Sequence, residues 1–452
     1  MLSRFISFGF FGEYVAAFVV SIASFVSGLM MGLPDAVIPQ LTSGAAGFTL
    51  TESEISVMLG IMSAGSFVSP LPSGYFMDHI GRRNSLILFN LLTMISWVLL
   101  VVSKTPFPIY VAKFITGMWV SFEYTAAPVY VGEITSPRLR GSLTSLGELM
   151  FFFGVLYTSL LMNLSYETII VSCAVPSIVL LFGLILIPES PYFYLMKRNR
   201  KMALKNLVWL RGSMKAEELD EMESTVNEQL NNKSSFSIIF TSAQNLRAFM
   251  LVQCLMVVVG NSSLMMLLSF STTIFQNTWV SSQNGYIILC CIWIASGIVS
   301  CLVIDSVNRK TLLFVSSVGT ALALSGTTVW FYLRDQTNVD TTNTSWVPLA
   351  TLIVAGVFET CGIFNIPTVV NGEVFPVNIK TKAVALSSMT ASLVDGINST
   401  FFFKIARGPG LYLNFAKILI TTIFCIYFSK YVMIETRGKT LEEIQEDLKK
   451  RA

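Results

Sequence analysis

Long apolar segments alternate with short polar loops along the whole chain of 452 residues. About twelve segments are each long enough to cross some 30 Å of hydrocarbon as a helix. The first six cover 13–33, 55–77, 85–103, 107–130, 144–163 and 167–187. The second six cover 248–270, 284–304, 311–333, 348–371, 383–404 and 411–433. The pattern predicts an all-α membrane protein.

One long polar stretch, 188–247, separates the two sets of six segments. Helix formers and mixed charge over 201–210 and 216–230 predict short surface helices within it. The chain therefore divides into an N-terminal six-helix bundle (1–187), a cytoplasmic linker with short helices (188–247), a C-terminal six-helix bundle (248–434) and a cytoplasmic tail (435–452).

Composition supports this assignment. Hydrophobic residues make up 53% of the chain and charged residues 13%, and the mean hydropathy is +0.66. A soluble domain carries about 25% charged residues, so this chain cannot cover a globular surface. The net charge of +3 is too small to predict a nucleic-acid partner. The seven cysteines lie inside apolar segments and indicate no disulfide framework and no metal site.

Lysine and arginine predict the orientation of the segments. They gather in the loops after the second, fourth, sixth, eighth and tenth segments and in the tail. By the positive-inside rule both termini and the linker are cytoplasmic. The glycosylation sequons at Asn163 and Asn343 then lie outside, whereas the one at Asn232 lies inside and stays unmodified.

An acid followed by bases occurs in the loop after the second segment and returns about half the chain later, after the eighth. Further acids and bases recur at matching positions of the two halves. The first half contributes Asp78, Arg82, Arg83, Glu133, Arg140 and Glu189, and the second contributes Asp305, Arg309, Lys310, Glu373, Lys380 and Glu435. Several weak ion pairs across an interface can hold a gate shut and still let it open.

The motifs around these charges resemble those of the sugar porter family of the major facilitator superfamily. They include Gly81-Arg82-Arg83, Pro128-Val129-Tyr130, Arg140-Gly141, Pro188-Glu189-Ser190-Pro191, Gly372-Glu373-Val374-Phe375-Pro376 and Glu435-Thr436-Arg437-Gly438-Lys439-Thr440. The sequence around Tyr130, Glu373 and Glu435 is similar to that of the arthropod facilitated trehalose and sugar transporter branch.

The resemblance implies two six-helix bundles, each with an inverted repeat, that rock about a solute site near the bilayer midplane. It implies that the matched charges form an inner latch in the outward-open state. We expect a facilitative transporter of a small polar solute, most simply a sugar such as a hexose or a trehalose-like disaccharide. The expected partners are this solute and plasma-membrane lipid. No pattern of a cofactor site or an active site occurs, and the lone His79 is expected on the surface.

Several positions depart from the family pattern. In the seventh segment Val259, Gly260 and Met265 stand where the family has amides, although Asn261 is adjacent. In the tenth the family's Pro-Ile-Pro-Trp is similar to the run from Asn365 to Thr368. The family's asparagine of the eleventh segment corresponds to Asp395, and its glutamine of the fifth to Glu148. The candidate solute-binding residues are Glu148, Thr368, Asn365, Asp395 and Asn261.

The carboxylates within the segments leave alternatives open, because intramembrane charges are costly and usually functional. Glu148 or Asp395 could couple transport to protons. The replaced amides also fit a transporter-like sensor that binds solute without moving it. Asp35, near the end of the first segment, is expected to meet water, and Glu123 to have a structural partner on a neighbouring helix.

Overall fold

The protein is seen in a computed structural model that describes residues 11–136, 140–212, 216–231, 237–276, 282–303, 307–375, 377–437, 444 and 447–448. Within these ranges the side chains of Arg140, Glu373 and Lys380 are among those left undescribed, and Asp305 lies outside the ranges. Of these four predicted gating residues, Arg140, Glu373 and Lys380 have a described backbone only.

The first six predicted segments are helical. The helices are α1 (Phe11–Ser43), α2 (Glu52–Val68), α3 (Pro70–Ile80), α4 (Arg82–Val102), α5 (Pro106–Ile134), α6 (Arg140–Leu161) and α7 (Tyr166–Leu186). The second segment is divided between α2 and α3, which meet at an angle of 46°. The bend falls at Pro70, which has no N–H to continue the ladder of α2.

The linker contains the two predicted surface helices. They are flanked by shorter ones, so that the set is α8 (Pro191–Met196), α9 (Arg200–Arg211), α10 (Ala216–Asn231) and α11 (Ser237–Thr241). Leu195, Leu207 and Met222 join α8, α9 and α10 in a small apolar core. The linker is clamped to the N-terminal half by Arg211, whose buried guanidinium lies 2.6 Å from Glu13 of α1.

The last six predicted segments are helical as well. They comprise α12 (Ala243–Gly260), α13 (Ser263–Ile274), α14 (Ser282–Val303), α15 (Arg309–Gln336), α16 (Val347–Phe358), α17 (Asn365–Val374), α18 (Val377–Arg407) and α19 (Tyr412–Tyr431). The seventh segment is broken at Asn261, between α12 and α13. The tenth passes through a π-helical turn, Glu359–Ile363, between α16 and α17. Such irregularities inside a membrane often mark functional sites.

Eight helices of the described chain, or nine with the bent pair, are long and apolar enough on their own to cross a membrane. Within each half, close approach of helices depends on glycine. A Cβ at Gly28 of α1 would lie 2.0 Å from the Phe151 oxygen of α6, and one at Gly117 of α5 would lie 1.8 Å from the Met62 oxygen of α2. Small residues at such crossings let membrane helices pack tightly.

The two halves meet mainly where α1 contacts α13, α2 contacts α18 and α6 contacts α14, and α18 also contacts α3 and α5. We call the side that carries the ends of α3, α5 and α7 the basic side, and the opposite side the far side. The main apolar core runs through both halves and includes Phe152 of α6 and Trp293 of α14. Buried contacts between the halves set the geometry of the polar groups described next.

Candidate functional site

A small polar cavity with about 20 Å³ of free volume lies where α12 breaks, between α13, α18 and α19. Its polar lining comprises Asn261, Ser262, Asp395, Asn398, Ser399, Asn414 and Lys417. Its apolar lining includes Phe270 and Phe402, whose rings stack at 3.8 Å. Hydrogen-bonding groups on one wall and aromatic faces on the other are the usual features of a small-molecule site.

Asp395 connects this cavity with the other half of the protein. Its Oδ2 accepts a hydrogen bond of 3.1 Å from the Ser63 hydroxyl on α2. A Cβ at the next residue, Gly396, would lie 2.7 Å from the Ser63 Cβ, so α2 and α18 are in close contact here. The cavity therefore borders the interface across which the two halves must move.

Asn261 and Asn398 brace the break of the seventh segment. The Asn398 Nδ2 donates to the Asn261 Oδ1 at 2.8 Å and to the Gly260 carbonyl at 3.3 Å. Asn261 in turn donates to the Thr421 hydroxyl of α19 at 2.9 Å. On the opposite end of the break, the buried Glu359 accepts from the N–H groups of Ser263 and Leu264, at 3.1 and 2.9 Å. These bonds satisfy helix-end groups that have no partner within their own helix.

Asp35 closes the far side of the molecule. Its carboxylate accepts from the Thr272 N–H and the Thr272 hydroxyl, both at 2.9 Å, and from the Ser271 hydroxyl. Asp35 is completely buried, so the expectation that it meets water was wrong. The reason is that α13 of the other half covers the end of α1 and supplies three donors in place of solvent.

Further polar contacts join the halves on the far side. Gln283 of α14 donates to the Ser159 carbonyl of α6 at 3.2 Å, and Cys290 lies within hydrogen-bond distance of the Ser159 hydroxyl. Arg407 at the end of α18 forms an ion pair with Glu52 at the start of α2. The far side is closed in this conformation.

Nearer the basic side, a hydroxyl pair bridges the halves: Tyr124 of α5 and Thr368 of α17 lie 2.7 Å apart. Glu148 of α6 lies within electrostatic range of both Tyr124 and Glu123. Glu123 accepts hydrogen bonds from Ser24 and Ser27 of α1, at 2.7 and 3.0 Å. This confirms the expectation that Glu123 has a partner on a neighbouring helix.

The described members of the charge cluster predicted for the first half form one connected network. Arg82 lies 3.0 Å from Glu133 and 3.5 Å from Asp78. Glu189 accepts from the N–H groups of Arg82, Arg83 and Asn84 at the start of α4, at 2.9, 3.1 and 3.3 Å. The pKa of the Glu189 carboxyl is raised, because its burial outweighs the stabilisation that these N–H groups give to the anion.

Gly81 makes this arrangement possible. It has a φ of 100°, and a Cβ there would lie 2.3 Å from the Glu189 Oε2. Only glycine adopts this backbone without strain and leaves room for the carboxylate. The motif therefore encodes a capped helix start rather than a surface ion pair alone.

The second half repeats the cap. Glu435 accepts from the N–H groups of Arg309 and Lys310 at the start of α15, at 3.0 and 3.2 Å. Glu189 and Glu435 therefore occupy equivalent positions, as their places in the sequence predicted. The side chains of Arg140, Glu373 and Lys380 and the whole of Asp305 lie outside the described residues, so the predicted acid–base pairs that involve them stay predictions.

The five predicted solute-binding residues fall into two groups. Asn261 and Asp395 line the cavity, whereas Glu148 and Thr368 lie near the Tyr124 bridge. Asn365 donates both hydrogens of its amide, to the Ser300 hydroxyl at 2.8 Å and to the Thr360 carbonyl at 2.7 Å. Only its carbonyl oxygen is left for a solute. Their roles in binding stay predictions.

Sequence reasoning missed several polar residues of these sites. Asn398, Asn414 and Lys417 of the cavity belong to α18 and α19, at positions that the family resemblance does not single out. Tyr124 of α5 is not among the predicted residues either. The signal that was present is their polarity within apolar segments, and for Lys417 its charge. His79, in contrast, is exposed as expected and stacks on Tyr75 at 3.8 Å.

Comparison with known protein families shows which family the chain belongs to. The family model described as "Sugar (and other) transporter" matches residues 7–448. The chain belongs to the sugar transporter family. It is a multi-pass membrane transporter with the major facilitator fold, two bundles of six spans, and it is not an enzyme.

Several relatives of the chain are named as sugar transporters. The chain is 27% identical over 447 residues to "Facilitated trehalose transporter Tret1" of Bombyx mori, covering 96% of this chain and 86% of that one. It is 28% identical over 455 residues to "Sugar transporter ERD6-like 16" of Arabidopsis thaliana, covering 95% and 89%. It spans about half, 48%, of the Tret1 protein of Drosophila virilis, at 27% identity and with 96% of this chain covered.

Solved structures show the same fold. The proton:xylose symporter XylE bound to 6-bromo-6-deoxy-D-glucose superposes with a TM-score of 0.79 at 17% identity, covering 97% of this chain and 99% of that one. A partially occluded inward-open conformation of XylE from E. coli gives a TM-score of 0.78 at 17% identity, covering 95% and 100%.

Proposed function

We propose that this protein carries a neutral, hydroxyl-rich solute, a hexose or a trehalose-like sugar, across the membrane by facilitated diffusion. The observation that supports this most directly is the polar cavity bordered by Asp395, because it lies beside the contact of α2 with α18. A solute bound there is exposed to one side or the other as the halves rock. The names of the insect relatives point to the same class of solute.

The cavity provides the chemistry that a sugar requires. Asp395 and the amides of Asn261 and Asn414 offer acceptors and donors for hydroxyl groups, and the stacked rings of Phe270 and Phe402 offer an apolar surface for the C–H face of a sugar. One carboxylate and one ammonium group, those of Asp395 and Lys417, leave the lining without a net charge. A neutral solute fits this balance.

The gating residues act in two groups in this proposal. Asp35 with Ser271 and Thr272, and Glu52 with Arg407, hold the far side closed. Tyr124 and Thr368 bridge the pathway nearer the basic side. The clusters capped by Glu189 and Glu435 form the inner latch when the far side opens, together with the predicted partners outside the described residues.

A second candidate function is proton-coupled transport. It is favoured by the electrostatic proximity of Glu148 to Glu123. Two neighbouring carboxylates repel each other when both are ionised, and protonation of one removes this repulsion. Uptake that accumulates solute only under a proton gradient would identify this mechanism, and uptake that merely equilibrates across the membrane identifies facilitated diffusion.

We place the protein in the plasma membrane with the basic side, both termini and the linker in the cytoplasm. The domain limits at 187, 247 and 434 follow from this arrangement. Asn343 lies exposed in the short 3-10 turn Thr342–Thr344, and Asn163 lies exposed just after α6. On expression in insect cells, glycosidase treatment will increase the gel mobility of the wild type and not of Asn343→Gln/Asn163→Gln. A mobility shift that is instead abolished by Asn232→Gln contradicts this orientation.

A thermal-shift screen of the purified protein tests the solute class. Glucose, trehalose and their amino and acidic derivatives are compared, because a bound solute raises the midpoint by mass action. The neutral sugars are expected to stabilise the wild type and Asp340→Ala, whose aspartate is exposed outside the cavity. They are expected to lose their effect on Asp395→Ala, which removes the carboxylate and leaves no side-chain acceptor in its place. Stabilisation by charged derivatives alone would overturn the proposed class.

A further inference from the structure

Lys417 is an ionisable residue inside a membrane span, and the transport scheme above uses it only as a charge that balances Asp395. It lies in α19, partly buried, in the wall of the cavity. Charged side chains inside a bilayer are costly, so one that is present calls for a partner and a purpose. Its Nζ donates a hydrogen bond of 3.1 Å to the Asn398 Oδ1.

The ammonium group determines which way two asparagine side chains face. An ammonium can only donate, so Asn398 must turn its oxygen towards Lys417. The Asn398 amide nitrogen then faces the Gly260 carbonyl and the Asn261 Oδ1. Asn261 is left to donate to Thr421, on the same helix as Lys417. A single charge thus orders a closed chain of hydrogen bonds between three helices.

This chain of bonds ends on the break of the seventh segment. Gly260 is the last residue of α12, and its carbonyl faces the break instead of a following helical turn. A Cβ at Gly260 would lie 2.5 Å from the Ala391 carbonyl, so α18 lies directly against this point. The break is therefore held on its α12 side by α18 and α19, and on its α13 side by Glu359.

The segment beyond the break is the part that closes the far side. α13 supplies Ser271 and Thr272 to Asp35 of the other half. A change of angle at Asn261 moves the first two turns of α13 and, through the non-helical backbone at Phe270, also Ser271 and Thr272 at its far end. The groups that brace Asn261 consequently control how easily this gate pivots.

We propose that Lys417 is a positioning residue for transport: its ammonium group, through Asn398 and Asn261, holds the pivot about which α13 opens the far side. The expected effect on the transport rate rests on the proposed transport function. The expected effect on the break at Asn261 rests on the contacts alone. It assigns to the twelfth span a part in gating. Lys417 acts through the asparagines and not by touching the solute.

Substitutions of Lys417 test the proposal, with Lys430→Met as the matched control. Lys430 is an exposed lysine of the same helix, outside the cavity, with its Nζ 5.4 Å from the Tyr431 ring. In proteoliposomes, Lys417→Met is expected to lower the maximal transport rate, because an unbraced pivot no longer carries the rocking of the halves to α13. The expected decrease is about tenfold, the effect of one hydrogen bond to a charged group. The KM for the solute is expected to stay within about twofold, and Lys417→Arg to restore most of the rate.

A second measurement needs no solute. Hydrogen–deuterium exchange of residues 257–265 in nanodiscs is expected to be about tenfold faster in Lys417→Met than in the wild type. Lys430→Met and Lys417→Arg are expected to match the wild type. Unchanged exchange in Lys417→Met, or equal acceleration in Lys430→Met, overturns the proposal. If the wild type moves no solute, the proposed transport function fails, and the exchange comparison still decides the role of Lys417.

Discussion

At the scale of single residues, carboxylates in this protein serve as caps for backbone N–H groups. Glu189 and Glu435 cap α4 and α15, Glu359 caps α13, and Asp35 binds the Thr272 N–H across the interface. An anion at a helix start is favoured by the helix dipole and by the unpaired N–H groups. The sequence located Glu189 and Glu435 through their repeat, and it could not show that their partners are backbone atoms.

The raised pKa of Glu189 gives a pH dependence with a defined sign. A carboxyl whose pKa is higher in the folded than in the unfolded state binds protons more tightly when folded. Its contribution to the free energy of unfolding is therefore present at low pH and is lost as the pH rises through its folded pKa. Most acidic residues in ion pairs behave in the opposite way.

Glu189→Gln tests this dependence. Thermal midpoints of the wild type and the variant are compared between pH 5 and 8 in the same detergent, with Asp340→Ala as the control. The stability of the wild type relative to Glu189→Gln is expected to be lowest at high pH, where the buried carboxyl is ionised, and to rise towards that of the variant as the pH falls and the carboxyl is protonated. A wild type that is more stable than the variant at high pH and loses this advantage on acidification would show that ion pairing, and not burial, dominates this carboxyl.

At the scale of elements, the broken seventh segment is the most informative. Its apolar pattern predicted one helix over 248–270, and the structure divides it at Asn261 into α12 and α13. Hydropathy averaged over the span does not detect the break, because the turn-forming run Gly260-Asn261-Ser262-Ser263 is short and lies between apolar residues. The partners that stabilise it, Glu359 and Asn398, lie on other helices and far away in the sequence. The same holds for the π-helical turn at Glu359.

The cap of α13 predicts the effect of changing Glu359. Glu359→Ala removes the acceptor of two buried N–H groups and is expected to destabilise the protein by about 1–3 kcal/mol. Glu359→Gln keeps one acceptor oxygen and is expected to lose less. Denaturant unfolding followed by tryptophan fluorescence provides the comparison. Equal stability of Glu359→Ala and the wild type would contradict a capping role.

At the scale of the whole molecule, the structure shows a far side closed by contacts between two bundles. The sequence predicted twelve spans, their division into two halves and the family, because periodic hydrophobicity and repeated motifs are local signals. It did not predict which side is closed. That property depends on pairs such as Asp35 with Ser271, which come together only when the halves pack.

Loss of the Asp35 contacts is expected to open the far side. Cys290 provides a native reporter, since it is buried and lies beside Ser159 of the other half. Asp35→Ala is expected to increase the rate at which an impermeant maleimide labels Cys290 about tenfold, because two or more buried hydrogen bonds are lost. The same variant with Cys290→Ala is the control for the other cysteines. Unchanged labelling would show that Asp35 does not hold this gate.

The central claim is that the two halves carry a neutral sugar past the cavity at Asp395. It is tested most directly by counterflow in proteoliposomes loaded with unlabelled glucose or trehalose and diluted into labelled sugar. The account predicts transient, saturable accumulation of label without a proton gradient in the wild type and Asp340→Ala, and at least about tenfold less in Asp395→Ala. No accumulation in correctly inserted wild type, or equal accumulation in Asp395→Ala, would contradict it.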